Sequence, residues 1–178
     1  MNRASVSESD TFARQPVQEQ SAVAAARRMA NDLADGLGFD ATDMGRAALV
    51  VTEAATNILK HAGEGEILLH AMPGATPALE VLALDNGPGL TAERLAREGQ
   101  STAGTLGMGL GAMRRMATEF EVYGEPGKGT VVRLVVAPTG QPASTGEDFE
   151  VGVVMVPHVG EGVCGDAWAV RQRHGRAL

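Results

Sequence analysis

Between residues 21 and 37 the apolar side chains Val23, Ala26, Ala30, Leu33 and Leu37 recur at steps of three and four, the period of one helix face. Ser21 stands where an N-cap belongs, and Gly36 and Gly38 mark the end. A second stripe, Met44, Ala47, Ala48, Val51, Ala55, Ile58 and Ala62, predicts a helix capped by Asp40 and stopped by Gly63. The period then changes to two. Residues 66–71 and 79–84 read as short strands around a Pro/Gly turn at 72–77. A short helix is expected at 91–98, a loop rich in Gly, Ser and Thr at 99–106, and a third main helix at about 108–118. Strands at 119–123 and 130–137 close the pattern, joined by another Pro/Gly turn. These elements predict an α/β two-layer sandwich (α+β) with a mixed, mostly antiparallel sheet and three main helices on one face.

The rest of the chain reads differently. Residues 1–12 are polar and expected to be disordered, and 138–149 form a Pro/Gly/Ser/Thr linker. Residues 13–137 are thus one domain and 150–178 the beginning of another. Aromatic residues are only 3% of the 178, so the core must be built from aliphatic side chains and methionine. The net charge of −7 lacks the basic patch that a nucleic-acid partner requires. A single cysteine, Cys164, rules out an internal disulfide framework and fits a reducing, cytoplasmic setting. No apolar run approaches the ~20 residues of a membrane span, and no signal-peptide core is visible at the start.

Three short segments carry candidate chemistry. Glu53 and Asn57 lie four residues apart on the second helix and share a face with Arg46 and Lys60. An amide oxygen there can ligate a hard cation such as Mg²⁺, and a carboxylate beside it can orient or deprotonate a nucleophile. Asp85-Asn-Gly87-Pro-Gly89 follows a strand directly. A carboxylate at a strand end can accept from an exocyclic amine such as that of adenine, while glycines let the backbone approach a flat base. Gly107-Met-Gly109-Leu-Gly111 opens a helix, and bare amides at a helix start suit phosphates. Two look-alikes fail. Gly107-x-Gly109-x-x-Ala112 follows a polar loop where a dinucleotide fingerprint needs a strand. Gly124–Thr130 has Gly129 where a Walker A loop requires Ser or Thr after the lysine.

Taken in order, Glu53-Ala-Ala-Thr-Asn57, Asp85–Gly89, Gly107–Gly111 and Gly127-Lys-Gly129-Thr130 resemble the N, G1, G2 and G3 boxes of GHKL ATPases, whose fold is of the Bergerat type. More narrowly, residues 13–137 resemble the RsbT-type serine/threonine kinases of bacterial partner-switching and stressosome pathways. The resemblance implies that Asn57 ligates Mg²⁺, Asp85 binds the adenine amine, and Gly87 and Gly89 shape the base pocket. It implies that Gly107, Gly109 and Gly111 line the phosphates of ATP and that Thr130 backs the adenine. Glu53 matches the catalytic carboxylate, and 99–106 the ATP lid. The implied substrate is a serine or threonine on a STAS-domain antagonist, with a sigma factor or downstream regulator as a further partner; a homodimer is left open.

Residues 150–168 are foreign to such a kinase. An apolar strand followed by Gly-Glu-x-x-x-Gly-Asp-Ala-Trp resembles the opening of a SpoIIE-type phosphatase domain, which is metal-dependent. Asp166 would be a metal ligand only in a complete domain, and only 12 residues follow it, so phosphatase activity is not expected of this chain. The alternative to a kinase is a non-catalytic, nucleotide-gated module that sequesters a regulator. A histidine-kinase catalytic domain fits less well, because none of His61, His70, His158 and His174 falls in an upstream helical hairpin.

Overall fold

The computed structural model describes residues 12–73, 75–89 and 109–141, and the backbone of 172–173 and 176–177. The chain divides into two units, Met1–Ser144 and Thr145–Leu178. In the second unit the described backbone forms one pair of two-residue strands, Gln172–Arg173 with Arg176–Ala177. The first unit holds the fold.

It opens with β1 (Phe12–Val17), then α1 (Gln20–Gly36) and α2 (Ala41–His61). Strands β2 (Gly65–Met72) and β3 (Ala78–Asp85) follow, then α3 (Leu110–Met116) and the hairpin β4 (Glu119–Glu125) and β5 (Gly129–Val136). The sheet order is β1-β2-β3-β5-β4, and every pairing is antiparallel. The expected mixture of directions is therefore corrected to an antiparallel sheet. A hairpin joins β2 to β3 and another joins β4 to β5, while β3 and β4, both antiparallel to β5, run parallel to each other on either side of it, with α3 in the connection between them.

Strand β1 is an element the sequence reading did not place: it begins at Phe12, one residue before the expected start of the domain. Its six residues show little alternation and include Pro16, which lacks a ladder donor. Proline is tolerated there because β1 is an edge strand, in register with β2 from Phe12↔His70 to Val17↔Gly65. Helix α1 starts one residue earlier than Ser21, with Glu19 at the N-cap; the Ser21 hydroxyl donates to the Glu19 carboxylate at 2.5 Å. Helix α2 begins as its sequence predicts. The Asp40 side chain accepts from the Asp43 amide at 2.8 Å, and Gly63 takes a positive φ of 83° just past the end.

The helices cover one sheet face. Helices α1 and α2 pack against each other, and Ala22, Ala26, Ala30 and Ala34 of α1 and Ala47, Ala54 and Ala55 of α2 are buried. Beneath them lie Ile67 and Leu69 of β2, Val81 of β3 and Leu134 and Val136 of β5, all fully buried, with Met113 anchoring α3 to the same cluster. Alternate strand residues face the other way. There the register sets Arg133 against Glu80 at 2.6 Å and Glu119 at 3.0 Å, while Phe12 stacks on His70 with ring centroids 4.0 Å apart.

Among the described residues one charged side chain is buried. Asp43 is 3% exposed, and its Oδ1 accepts from Arg46 at 2.9 Å and from the Thr139 hydroxyl at 2.7 Å. Its Oδ2 accepts from the Thr139 amide at 3.2 Å, and Arg46 also donates to the Ala137 carbonyl. Thus the chain leaving β5 is tied to the first turn of α2, and the opening residues of the 138–149 stretch belong to this unit. Arg46, read from sequence as part of the Glu53 face, instead serves this tie. Removing Asp43 strands a half-buried guanidinium. Asp43→Ala is expected to cost about 3 kcal/mol and Asp40→Ala, which removes only a cap, about 1 kcal/mol. Urea denaturation of both variants at neutral pH measures the difference; equal costs would contradict the tie.

Candidate functional site

The open ends of β3 and β5 meet the last turns of α2 at one cavity. Helix α2 supplies Ala54, Asn57, Ile58 and His61, a single stripe at steps of three, one and three. Alternate residues Ala83 and Asp85 come from β3, and Thr130 and Val132 from β5; all face the helix layer. Pro88 and Gly89 form one rim, and Gly109, Leu110 and Met113 bring the start of α3 to the other. Asn57, Asp85, Gly89, Gly109 and Thr130, which the sequence scatters over 74 positions, thus surround one space.

Asp85 is the last residue of β3 and lies directly opposite Thr130 in the ladder. Its Oδ1 accepts from the Gly87 amide at 2.8 Å, so the side chain folds over the turn that follows. That turn is packed on both sides. A Cβ on Gly87 would stand 2.7 Å from the Ala62 Cβ, which places the turn against the end of α2. Gly89 has a φ of 73°, and a Cβ there would fall on the Glu125 carbonyl oxygen. The Pro88 carbonyl accepts from the Gly127 amide at 2.9 Å, fastening the turn to the β4–β5 hairpin.

Glu53 lies one turn before Asn57 on α2 and is partly buried. Burial raises its pKa above the ordinary carboxylate value, and the charge of Lys60 works in the opposite direction. Its side chain is not among those lining the cavity. Gly87 and Gly111 also stand just outside the lining, the first beneath Asp85 and the second in the first turn of α3. Gly107, the loop 99–106, the helix expected at 91–98, Asp166 and Trp168 lie outside the described residues. The helix expected at 108–118 is corrected to Leu110–Met116, because Gly109 and Ala117, its two caps, are both in extended conformations.

The sequence reading passed over His61, Pro88, Leu110 and Met113. His61 had a usable signal, since it stands four residues after Asn57 and must share its face. Pro88 and Leu110 lie within the two glycine motifs and were near at hand, whereas Met113 had no signal, because its place depends on how α3 lies across the sheet.

A family model described as a histidine kinase-like ATPase domain matches residues 17–136. The chain is 32% identical over 115 residues to the serine/threonine-protein kinase RsbT of Bacillus subtilis (strain 168), covering 64% of this chain and 86% of that protein. Among solved structures it resembles the histidine kinase domain of a blue-light activated histidine kinase from Erythrobacter litoralis EL346. That match has 23% identity and a TM-score of 0.41, and covers 64% of this chain and 59% of that one.

The packing around the Asp85 turn yields a comparison of two glycines with positive φ. Gly127 has a φ of 76° but open space where a Cβ would go. Gly127→Ala should therefore cost only the conformational strain, about 1 kcal/mol. Gly89→Ala adds a collision with a backbone carbonyl that cannot turn aside, and its loss should be about 3 kcal/mol. Denaturant midpoints of the two variants decide this, and a Gly89→Ala as mild as Gly127→Ala would show that the turn is not packed as described.

Proposed function

The chain belongs to the histidine kinase-like ATPase domain family, and from that premise we propose that it is an ATP-dependent serine/threonine protein kinase of the RsbT type. Its substrate would be a STAS-domain regulator in a bacterial partner-switching pathway, with a sigma factor or other regulator downstream. The observation that carries this reading is the common cavity. An amide side chain (Asn57), a strand-end carboxylate (Asp85), a hydroxyl (Thr130) and a glycine-lined helix start (Gly109) surround one space in a chain similar to RsbT.

The residues fit an adenine nucleotide. The Gly87 amide holds one oxygen of Asp85, leaving the other to accept from the adenine amine, with Thr130 beside it across the ladder. Apolar side chains, Ala54, Ile58, Met113 and Val132, line the same space and suit the faces of a base. The backbone at Gly87 and Gly89 sets the edge of that pocket. Gly109, with Gly107 and Gly111, would lie along the phosphates. Asn57 would offer its amide oxygen to Mg²⁺, the remaining ligands being phosphate oxygens and water. ATP would supply the γ-phosphoryl group, transferred in line to the acceptor hydroxyl. Glu53 would accept that hydroxyl's proton.

Because Glu53 stands outside the cavity lining, its role requires the protein substrate to bring the hydroxyl to it. The same observation supports the second reading, a nucleotide-gated module that binds its regulator without chemistry. No described helix is long and apolar enough to cross a membrane; we take the site of action to be the cytoplasm. We read residues 150–178 as the opening of a SpoIIE-type domain, in which Asp166 would be a metal ligand.

Incubation with labelled ATP, Mg²⁺ and STAS-domain regulators tests the proposal. The wild type should label the regulator, and Glu53→Ala should slow labelling about 10²–10⁴-fold while ATP binding persists. ATP-dependent regulator binding without labelling by the wild type would favour the second reading. By calorimetry, Asp85→Ala should weaken ATP binding by about 1–3 kcal/mol; unchanged affinity would refute the adenine assignment. The rate should also fall in acid. Glu53 must be ionised to take a proton, so its raised pKa puts the acid limb of kcat/KM at a higher pH than an ordinary carboxylate would. Lys60 holds that pKa down, and Lys60→Gln should move the limb to higher pH. An unmoved limb would assign the titration to another group.

A further inference from the structure

Gly65, the first residue of β2, carries no chemistry, yet it lies where three elements of the site converge. In the ladder it stands directly opposite Asp85. Its backbone needs no positive φ. The demand at this position is for space. A Cβ added there would collide with the Leu84 carbonyl oxygen and stand 2.8 Å from the Ile58 Cγ2 and 3.2 Å from the Asp85 Cα. Leu84 and Asp85 are the end of β3, and Ile58 is the α2 residue next to Asn57 on the cavity wall.

We infer that Gly65 is a positioning residue for the nucleotide site: its missing side chain lets α2 and the end of β3 close over β2, which sets the position of Asp85 relative to Asn57. The inference rests on the adenine reading given above. A methyl group at Gly65 finds no room to yield. Of its three neighbours, the nearest is a carbonyl of the sheet backbone, which cannot rotate away as a flexible side chain could. Relief must come from moving Leu84 and Asp85, from moving Ile58 and its helix, or from both. Either motion changes the position of Asp85 relative to Asn57 and so the fit of the base.

The effect should therefore appear in base recognition. Inosine nucleotides carry a keto oxygen where adenine carries its amine, and so offer Asp85 an acceptor in place of that donor. The wild type should bind ADP much more tightly than IDP. Gly65→Ala should weaken ADP binding at least about tenfold and IDP binding far less, so that the ratio of the two affinities falls toward one. Gly63→Ala is the control. Gly63 has a φ of 83° with open space around it, so its variant strains the backbone two residues away without crowding the site. It should lose stability and keep the wild-type ADP/IDP ratio.

The outcomes separate cleanly. If the wild type binds ADP and IDP alike, the adenine reading itself fails. If the wild type discriminates and Gly65→Ala discriminates equally, Gly65 is structural only and the inference is overturned. Should Gly65→Ala not fold, the Gly65 amide resonance of the wild type provides the test. It should move on addition of ADP and less on addition of IDP. No movement with ADP would overturn the inference.

Discussion

Two backbones can approach to van der Waals contact only where no Cβ stands between them, and the site at the end of β3 depends on that constraint. The turn after Asp85 is held against α2 through Gly87 and against the β4–β5 hairpin through Gly89. The carboxylate itself bonds to the Gly87 amide. Its position is thus fixed by backbone packing on several sides and not by one rotamer. A carboxylate set this way would lose little freedom on binding a ligand, which would raise affinity without added contacts.

The remainder of the fold serves to hold those strand ends under α2. Helices α1 and α2 pack against each other, and a purely antiparallel sheet places β3 between β2 and β5. The buried Asp43, joined to Arg46 and Thr139, ties the exit of β5 to the start of α2. Both ends of the helix are therefore anchored, one by this polar tie and the other by the crowded turn at Ala62 and Gly65. With its ends set, the Ala54–His61 stripe has a defined place above the sheet.

Much of this was legible from sequence. The periods of three to four and of two gave α1, α2 and β2 to β5 within a few residues, because burial on one side enforces both patterns. Asn57, Asp85, Gly89, Gly109 and Thr130 could be named beforehand, since their residue types suit a nucleotide and recur in a familiar order. Strand β1 was illegible: an edge strand with Pro16 and little alternation carries no periodic signal. The partners of Arg46 were out of reach as well, because a helical wheel cannot show that Ala137 and Asp43 come to meet it. Gly65 gave no hint either. Its importance lies in atoms contributed by α2 and β3, which only the folded chain brings near.

The central claim is that an adenine nucleotide occupies the space between Asn57, Asp85 and Gly109. Amide NMR of the full chain titrated with Mg²⁺ and ADP tests it most directly. Resonances of Asn57, Asp85, Gly87, Gly89, Gly109 and Thr130 should shift together along one binding curve. Shifts confined to the opposite sheet face, around Leu82, Arg133 and Glu121, or none at saturating nucleotide, would contradict the account.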